Sequence, residues 1–480
     1  MDRPGQSRSM LLQVFANRSG QGARMAESTF SILRDARRAT KGGAETIERL
    51  QAKRLHEIVA HARTHSAIYR TLYRDLPERI DDPRQLPVTS KKMLMSQFNA
   101  WVTDPAITID ALRGFVDDPE RAGEPFLGRY TVATTSGTTG ARGIFVLDER
   151  SLAVTNAMAL RMLSTWLGLG DVLRILAGGV RMAMVMGGSG HSASAVAAAR
   201  LRRAGGWRAS RLKVVSADTP MPQIVAALNE FQPVVIAPYA SMAVMLADEH
   251  EVGRLRINPV LLALAAEGLP EAQYGRIAKV FGASVGNSYA ATECPYLSHA
   301  CEEGWLHVNT DWVRFEPVDE NFAPVPRGQA SHTVLISNLA NKTQPVLRYD
   351  LGDSVQERLD RCPCGSPFPA IKVQGRSADV MSFPGRHGGK LAIPPLAFSL
   401  LLDGISGVEM FQIVQSEPAR LRVRFVSEPG VDSDQVWQRI EAGIARLLSQ
   451  HSIANVSIER GAEPPEKTQG GKYRRLIPFS

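Results

Sequence analysis

Between about residues 130 and 310 the chain alternates short apolar runs with helical segments, and this alternation narrows the fold more than any other feature. Val172 to Ala177, Arg181 to Met186, Leu212 to Val215 and Val234 to Ala237 read as buried strands. Ala193 to Arg203 and Pro222 to Phe231 read as helices between them. Parallel strands need a crossover, and a crossover helix covers the sheet, so such strands are apolar along their whole length. The expected class is therefore α/β, a large N-terminal domain of mixed or parallel sheets followed by a small mobile α+β domain.

The flanks support that division. Glu45 to Arg74 is helical in pattern, with Leu50, Leu55, Ile58, Val59 and Ala62 on one face. Leu86-Pro87-Val88-Thr89-Ser90-Lys91-Lys92 reads as a turn and a capped helix start. Residues 1 to 40 are polar, basic and weakly periodic, and need not be ordered. From about 305 to 375 strands dominate. Beyond that, Met410 to Gln415 and Leu421 to Phe425 pair as strands, Asp432 to Gln450 forms an amphipathic helix, and Val456 to Glu459 adds a last strand. The expected boundaries are 1–40, 41–376 and 377–480, the last a lid.

At 480 residues the chain is too long for one ordinary core. A hydrophobic content of 44% with 22% charged residues is that of a soluble globular protein. The excess of 56 basic over 48 acidic residues is dispersed, and aromatics are only 6%, which argues against nucleic-acid binding. A basic surface does suit small polyanions. No apolar run is long enough to span a membrane, the start lacks a signal-peptide pattern, and four cysteines do not make a disulfide scaffold. These features predict a cytoplasmic protein.

Thr134 to Gly143 reads T-T-S-G-T-T-G-A-R-G and follows the β-type run Tyr130 to Ala133. Its glycines let backbone N–H groups converge, and its hydroxyls add donors, so it suits a triphosphate. It lacks the lysine of a Walker loop.

The core Ser136-Gly137-Thr138-Thr139-Gly140 resembles the phosphate loop of the adenylate-forming superfamily of acyl-CoA synthetases, amino-acid adenylation domains and luciferases. Further motifs follow in that superfamily's order. Tyr289-Ala290-Ala291-Thr292-Glu293 is similar to its Y-G-x-T-E, with Ala290 in place of glycine. Gly352-Asp353 resembles its G-D pair, Gly375-Arg376 with Asp379 its hinge, and Gly470-Gly471-Lys472 its catalytic lysine segment.

The resemblance implies these roles. Tyr289 stacks on adenine, Ser288 binds the nucleotide, Thr292 touches the α-phosphate and Asp353 accepts the ribose hydroxyls. Arg376 reaches the ribose or phosphates, and Asp379 is the pivot. Lys472, Glu293 and Thr138 are catalytic, with Glu293 holding Mg²⁺. A carboxylic acid would attack MgATP to give acyl-AMP and pyrophosphate, and the acyl group would pass to coenzyme A. The L-P-V-T-S-K start, Arg142-Gly143 in place of Pro-Lys, and Cys362-Pro363-Cys364-Gly365 look closest to the phenylacetate–CoA ligase branch, which implies an aryl or arylacetic acid. An amine, a hydroxyl or a carrier protein as acceptor, and a homodimer, stay open.

Cys301 and His307 form C-x₅-H, and Cys362 and Cys364 form C-x-C. Three thiolates and an imidazole make a closed tetrahedral set for structural Zn²⁺, with Cys294 or His299 able to replace a member. Segments around Gly187 to His191 and Pro238 to Met242 are the expected acyl pocket. Gly188-Ser189-Gly190 after a strand, with Asp218 beyond, also resembles a dinucleotide fingerprint, so an NAD-binding oxidoreductase is a remote alternative.

Overall fold

The computed structural model describes residues 29–479 except 81, 136–142, 187–189, 204, 218, 265–267, 270, 377–380, 385–389, 394–396, 399–400, 403, 452 and 467–473. The chain divides into two compact units, Met1–Glu316 with Leu335–Leu351 and Arg358–Ile371, and Pro317–Val334 with Gly352–Glu357 and Lys372–Ser480. No helix among the described residues is long and apolar enough to cross a membrane.

In the first unit, helix α1 (Thr29–His65) is kinked at Gly43, whose φ of 72° a side chain would disfavour. It therefore starts well before Glu45. Ile32, Leu33 and Ala36, then Leu55, Ile58, Val59 and Ala62, bury one stripe of it, and α1 packs on helix α2 (Glu149–Trp166). Arg161 of α2 fastens the pair. Its guanidinium donates to both oxygens of the fully buried Asp311 (2.9 and 2.7 Å), to Asn309 and to the Ala36 carbonyl.

Strands β1 (Thr131–Thr134) and β2 (Ile144–Leu147) pair antiparallel. Strands β3 (Met182–Met186), β4 (Leu212–Ser216), β5 (Val235–Pro238), β6 (Leu261–Leu264) and β7 (Ser284–Asn287) form a parallel sheet in the order β4-β3-β5-β6-β7. Helices α3 (Ala193–Arg203), α4 (Met221–Phe231), α5 (Ala240–Glu251) and α6 (Glu271–Phe281) connect these strands. Buried Val185, Ile236, Leu262, Leu228, Leu246 and Ile277 fill the core between them.

Val172 to Ala177, expected as a buried strand, lies instead in the helix Leu169–Ala177. The Asp171 side chain accepts from the Gly168 N–H at 3.0 Å and starts the helix. Only Val172 and Ile175 of the run are buried, which is helical spacing. An apolar run of this length does not separate the two states by composition alone.

Strands β8 (Ser298–Ala300), β9 (Leu306–Val308), β10 (Val313–Val318), β11 (Thr333–Asn338), β12 (Tyr349–Asp350), β13 (Asp353–Glu357) and β14 (Ala370–Arg376) follow. β8 pairs antiparallel with β9, β9 with the start of β14, and β11 with β12 (Ile336↔Tyr349).

The second unit holds the hairpin β15 (Met381–Pro384) and β16 (Lys390–Ile393), and a sheet built on β17 (Val408–Glu417) and β18 (Arg420–Ser427). β19 (Ser457–Arg460) flanks β18 and β20 (Leu476–Ile477) flanks β17, both parallel. Helix α7 (Ser433–Gln450) starts at Asp432, whose carboxylate accepts from the Asp434 N–H. It lays Val436, Ile440, Ile444 and Leu448 into a core with Ile413, Leu421 and Val423. Each of those helix side chains contributes about 1.5–3 kcal/mol by leaving water.

Candidate nucleotide site and metal centre

Antiparallel pairing of β1 with β2, ending at Thr134↔Ile144, returns the chain to its starting point across the glycine-rich loop. Ser136, Gly137, Thr138, Thr139 and Gly140 lie outside the described residues, but the neck below them is defined. The Thr135 N–H donates to the Gly143 carbonyl and the Gly143 N–H to Thr135 Oγ1, both at 2.9 Å. The Lys91 ammonium donates to the same Oγ1 at 3.0 Å. A Cβ at Gly143 would lie 2.8 Å from the Phe145 ring and 3.0 Å from both Lys91 Cε and Thr135 Oγ1, so only glycine fits without a shift. Lys91 opens the helix Lys91–Ser96, which Ser90 caps by accepting from the Met93 N–H. Sequence reasoning gave Lys91 no site role. The signal for it was its place directly after a capping serine.

Tyr289 to Glu293 follows β7, at the carboxyl end of the parallel sheet. The Ser298 N–H donates to the Tyr289 carbonyl and the Tyr289 N–H to Ser298 Oγ, tying the segment to β8. Ser288, Tyr289 and Thr292 are half-buried, and Glu293 is buried. The Tyr349 hydroxyl donates to Glu293 Oε1 at 3.0 Å, and Asn338 Nδ2 donates to the Glu293 carbonyl at 3.0 Å. Burial first, and the Glu293 charge second, raise the Tyr349 phenol well above its ordinary range, so it stays a donor. Beside this segment a Cβ at Gly286 would fall 2.2–2.4 Å from the Trp166 ring. The indole lies across the bare backbone of β7 and donates to the Ala300 carbonyl at 2.8 Å.

Asp353 and Arg376 belong to the second unit, at the start of β13 and the end of β14. Gly352 precedes Asp353 with φ 73° and donates to Thr333 Oγ1. Asp379, Lys472, Gly188 and Asp218 lie outside the described residues. In the expected acyl pocket, His191 is fully buried with its ring 5.1 Å from that of Phe115, and Tyr239 and Met242 are buried.

Cys301, His307, Cys362 and Cys364 come together, with all four ligand atoms within 4.8 Å of one another. The Cys301 and Cys362 sulfurs are 3.7 Å apart, and Cys364 Sγ is 3.2 Å from His307 Nε2. His307 Nδ1 faces the Phe368 carbonyl at 2.9 Å, which makes Nδ1 the protonated nitrogen and turns the Nε2 lone pair to the cysteines. Burial raises the Cys301 and Cys364 thiols, so they need a cation to become thiolates. Tetrahedral zinc–thiolate bonds of about 2.3 Å put sulfurs about 3.8 Å apart, which the residues present fit. Neither alternative ligand joins this group. Cys294 is fully buried beside Tyr296, and burial pushes its thiol up to about 12. His299 is the cross-strand partner of His307, its ring 6.3 Å away.

Set against known proteins, the chain has the fold of the adenylate-forming ligases. It matches 2-hydroxyisobutyryl-CoA ligase, solved in the postadenylation state with R3-HIB-AMP, at a TM-score of 0.65 and 19% identity over 97% of this chain and 95% of that one. An open conformation of that ligase with 2-HIB-AMP and CoA matches at a TM-score of 0.53 and 20% identity, over 96% and 97% of the two chains. No family model matches the sequence. Protein CapK of Staphylococcus aureus is 24% identical over 264 residues, 52% of this chain, and the match spans only 54% of CapK.

Proposed function

We propose that this protein is an AMP-forming acid–CoA ligase. The carrying observation is that nearly the whole chain shares its fold with a ligase solved holding an acyl adenylate. The superfamily's motif residues stand in order along this sequence, which supports the reading.

In the first half-reaction a carboxylate oxygen attacks the α-phosphorus of ATP, the bond to the β-phosphate oxygen breaks, and pyrophosphate leaves. Ser136 to Gly140 cradle the phosphates, and Lys91 adds a positive charge at the loop's neck. Tyr289 stacks on adenine, Ser288 contacts the nucleotide, Thr292 the α-phosphate, Asp353 the ribose, and Arg376 the ribose or phosphates. Glu293 would hold Mg²⁺, which would supply charge neutralisation to the phosphates. Lys472 stabilises the charge that grows on the reacting oxygens. Asp379 is the pivot, and in the second half-reaction the coenzyme A sulfur attacks the acyl carbon and AMP leaves. An amine, a hydroxyl or a carrier protein are alternative acceptors.

The acid we favour is aryl or arylacetic, on the resemblance of the L-P-V-T-S-K start, Arg142-Gly143 and Cys362-Pro363-Cys364-Gly365 to the phenylacetate–CoA ligase branch. A small hydroxy acid is the second reading, favoured by the 2-HIB-AMP in the solved ligase. The Cys301–His307–Cys362–Cys364 group is a structural Zn²⁺ site that would tie the loop after β8 to β9 and to the loop before β14.

Carboxylate-dependent ATP–pyrophosphate exchange over aryl, arylacetic and hydroxyalkyl acids tests the reading. Exchange with one class, abolished in Lys472→Ala, is the expected result. A protein that neither exchanges with any acid nor binds MgATP overturns it.

A further inference from the structure

We propose that Tyr349 is a positioning residue for the Mg²⁺-binding carboxylate of Glu293, and that the ribbon β11–β12 is a clamp that aims it. The inference rests on the nucleotide-site reading above.

A carboxylate on an unrestrained side chain samples several directions, and a metal site weakens in proportion to that freedom. Glu293 is held at both ends. Asn338, the last residue of β11, donates to its carbonyl, and Tyr349, the first residue of β12, donates to its Oε1. β11 and β12 are paired through Ile336↔Tyr349, so both donors sit on one rigid ribbon. Asn338 is itself fixed, since its Oδ1 accepts from the Tyr296 hydroxyl at 2.5 Å and from the Ala340 N–H at 3.0 Å.

The register of Tyr349 is fixed just as closely. Arg348 has φ 45°, a left-handed conformation that a non-glycine residue keeps only when its surroundings hold it. Its N–H donates to Ser337 Oγ, and its guanidinium donates to the Arg84 and Leu86 carbonyls at 2.9 and 2.8 Å. On the other side, the Thr89 N–H donates to the Arg348 carbonyl and the Asp350 N–H to the Thr89 carbonyl. Thr89 lies two positions before Lys91, whose ammonium reaches the phosphate-loop neck. One short segment therefore registers the Glu293 clamp against the loop's neck at Thr135 and Gly143.

A buried tyrosine needs an acceptor whatever its purpose, so the test must separate aim from stability. The probes are ATP alone and MnATP, with binding followed calorimetrically and free Mn²⁺ by its paramagnetic resonance. The proteins are the full-length wild type, Tyr349→Phe, Glu293→Gln and the double variant. Tyr349→Phe keeps the ring and its packing. We expect it to bind MnATP about tenfold more weakly while its binding of metal-free ATP changes less than twofold. In the Glu293→Gln background the same substitution should have no further effect on MnATP. If Tyr349→Phe keeps the wild-type preference for MnATP while Glu293→Gln loses it, the clamp is refuted and the nucleotide site stands. An effect of Tyr349→Phe that persists undiminished in Glu293→Gln also refutes it. A wild type that does not distinguish MnATP from ATP removes both.

Discussion

Stripping the metal from the Cys301–His307–Cys362–Cys364 group is the perturbation whose size the fold defines most directly. The site cross-links the chain between residues 61 positions apart, Cys301 and Cys362, with His307 and Cys364 spanning 57. Closing a loop of that length removes denatured-state entropy worth about 4 kcal/mol on the cross-link model. The unit that contains the site has about 350 residues, and about 2.1 cal/mol/K of unfolding entropy per residue makes 4 kcal/mol about 5 °C in melting temperature. Calorimetric scans with and without a strong chelator, paired with elemental analysis of the purified protein, measure both quantities. The expected outcome is one zinc per chain and a fall of about 5 °C on its removal, restored by added zinc. Cys364→Ser should reproduce most of the fall and leave little for the chelator to do. Metal-free purified protein whose melting ignores both chelator and added zinc would refute the assignment.

Three further outcomes follow from the same geometry. Lys91→Met removes a charge-assisted donor at the loop's neck and should weaken MgATP binding about tenfold, read by calorimetry, with the melting temperature little changed. Gly286→Ala forces the Trp166 ring off β7 and should cost about 1–3 kcal/mol in urea unfolding. Asp311→Ala leaves the buried Arg161 and Arg54 guanidinium groups without their shared carboxylate, at a cost of about 3–5 kcal/mol. That loss should appear as faster proteolysis within α1, which those arginines hold in place.

Much of this protein was legible in its sequence. Periodicity separated the parallel sheet from the small α+β unit, because apolar runs joined by helical segments admit few other arrangements. Asp432 marked the start of α7, and cysteine spacing grouped four ligands that the fold does bring together. The motif segment Tyr289 to Glu293 stood out because its pattern lies within five consecutive residues. Other features depended on neighbours distant in the chain. Leu169–Ala177 is a helix because Asp171 reaches back to Gly168, which an apolar run alone does not reveal. Lys91 gains its meaning from Thr135, and Tyr349 from Glu293, each pair brought together across more than forty positions. Cys294 was left out of the ligand group because the turn at Ala291–Cys294 buries its sulfur beside Tyr296, a fact of direction and not of spacing. Local chemistry and periodicity are written in residue order, whereas the aim of a side chain is decided by what packing places opposite it.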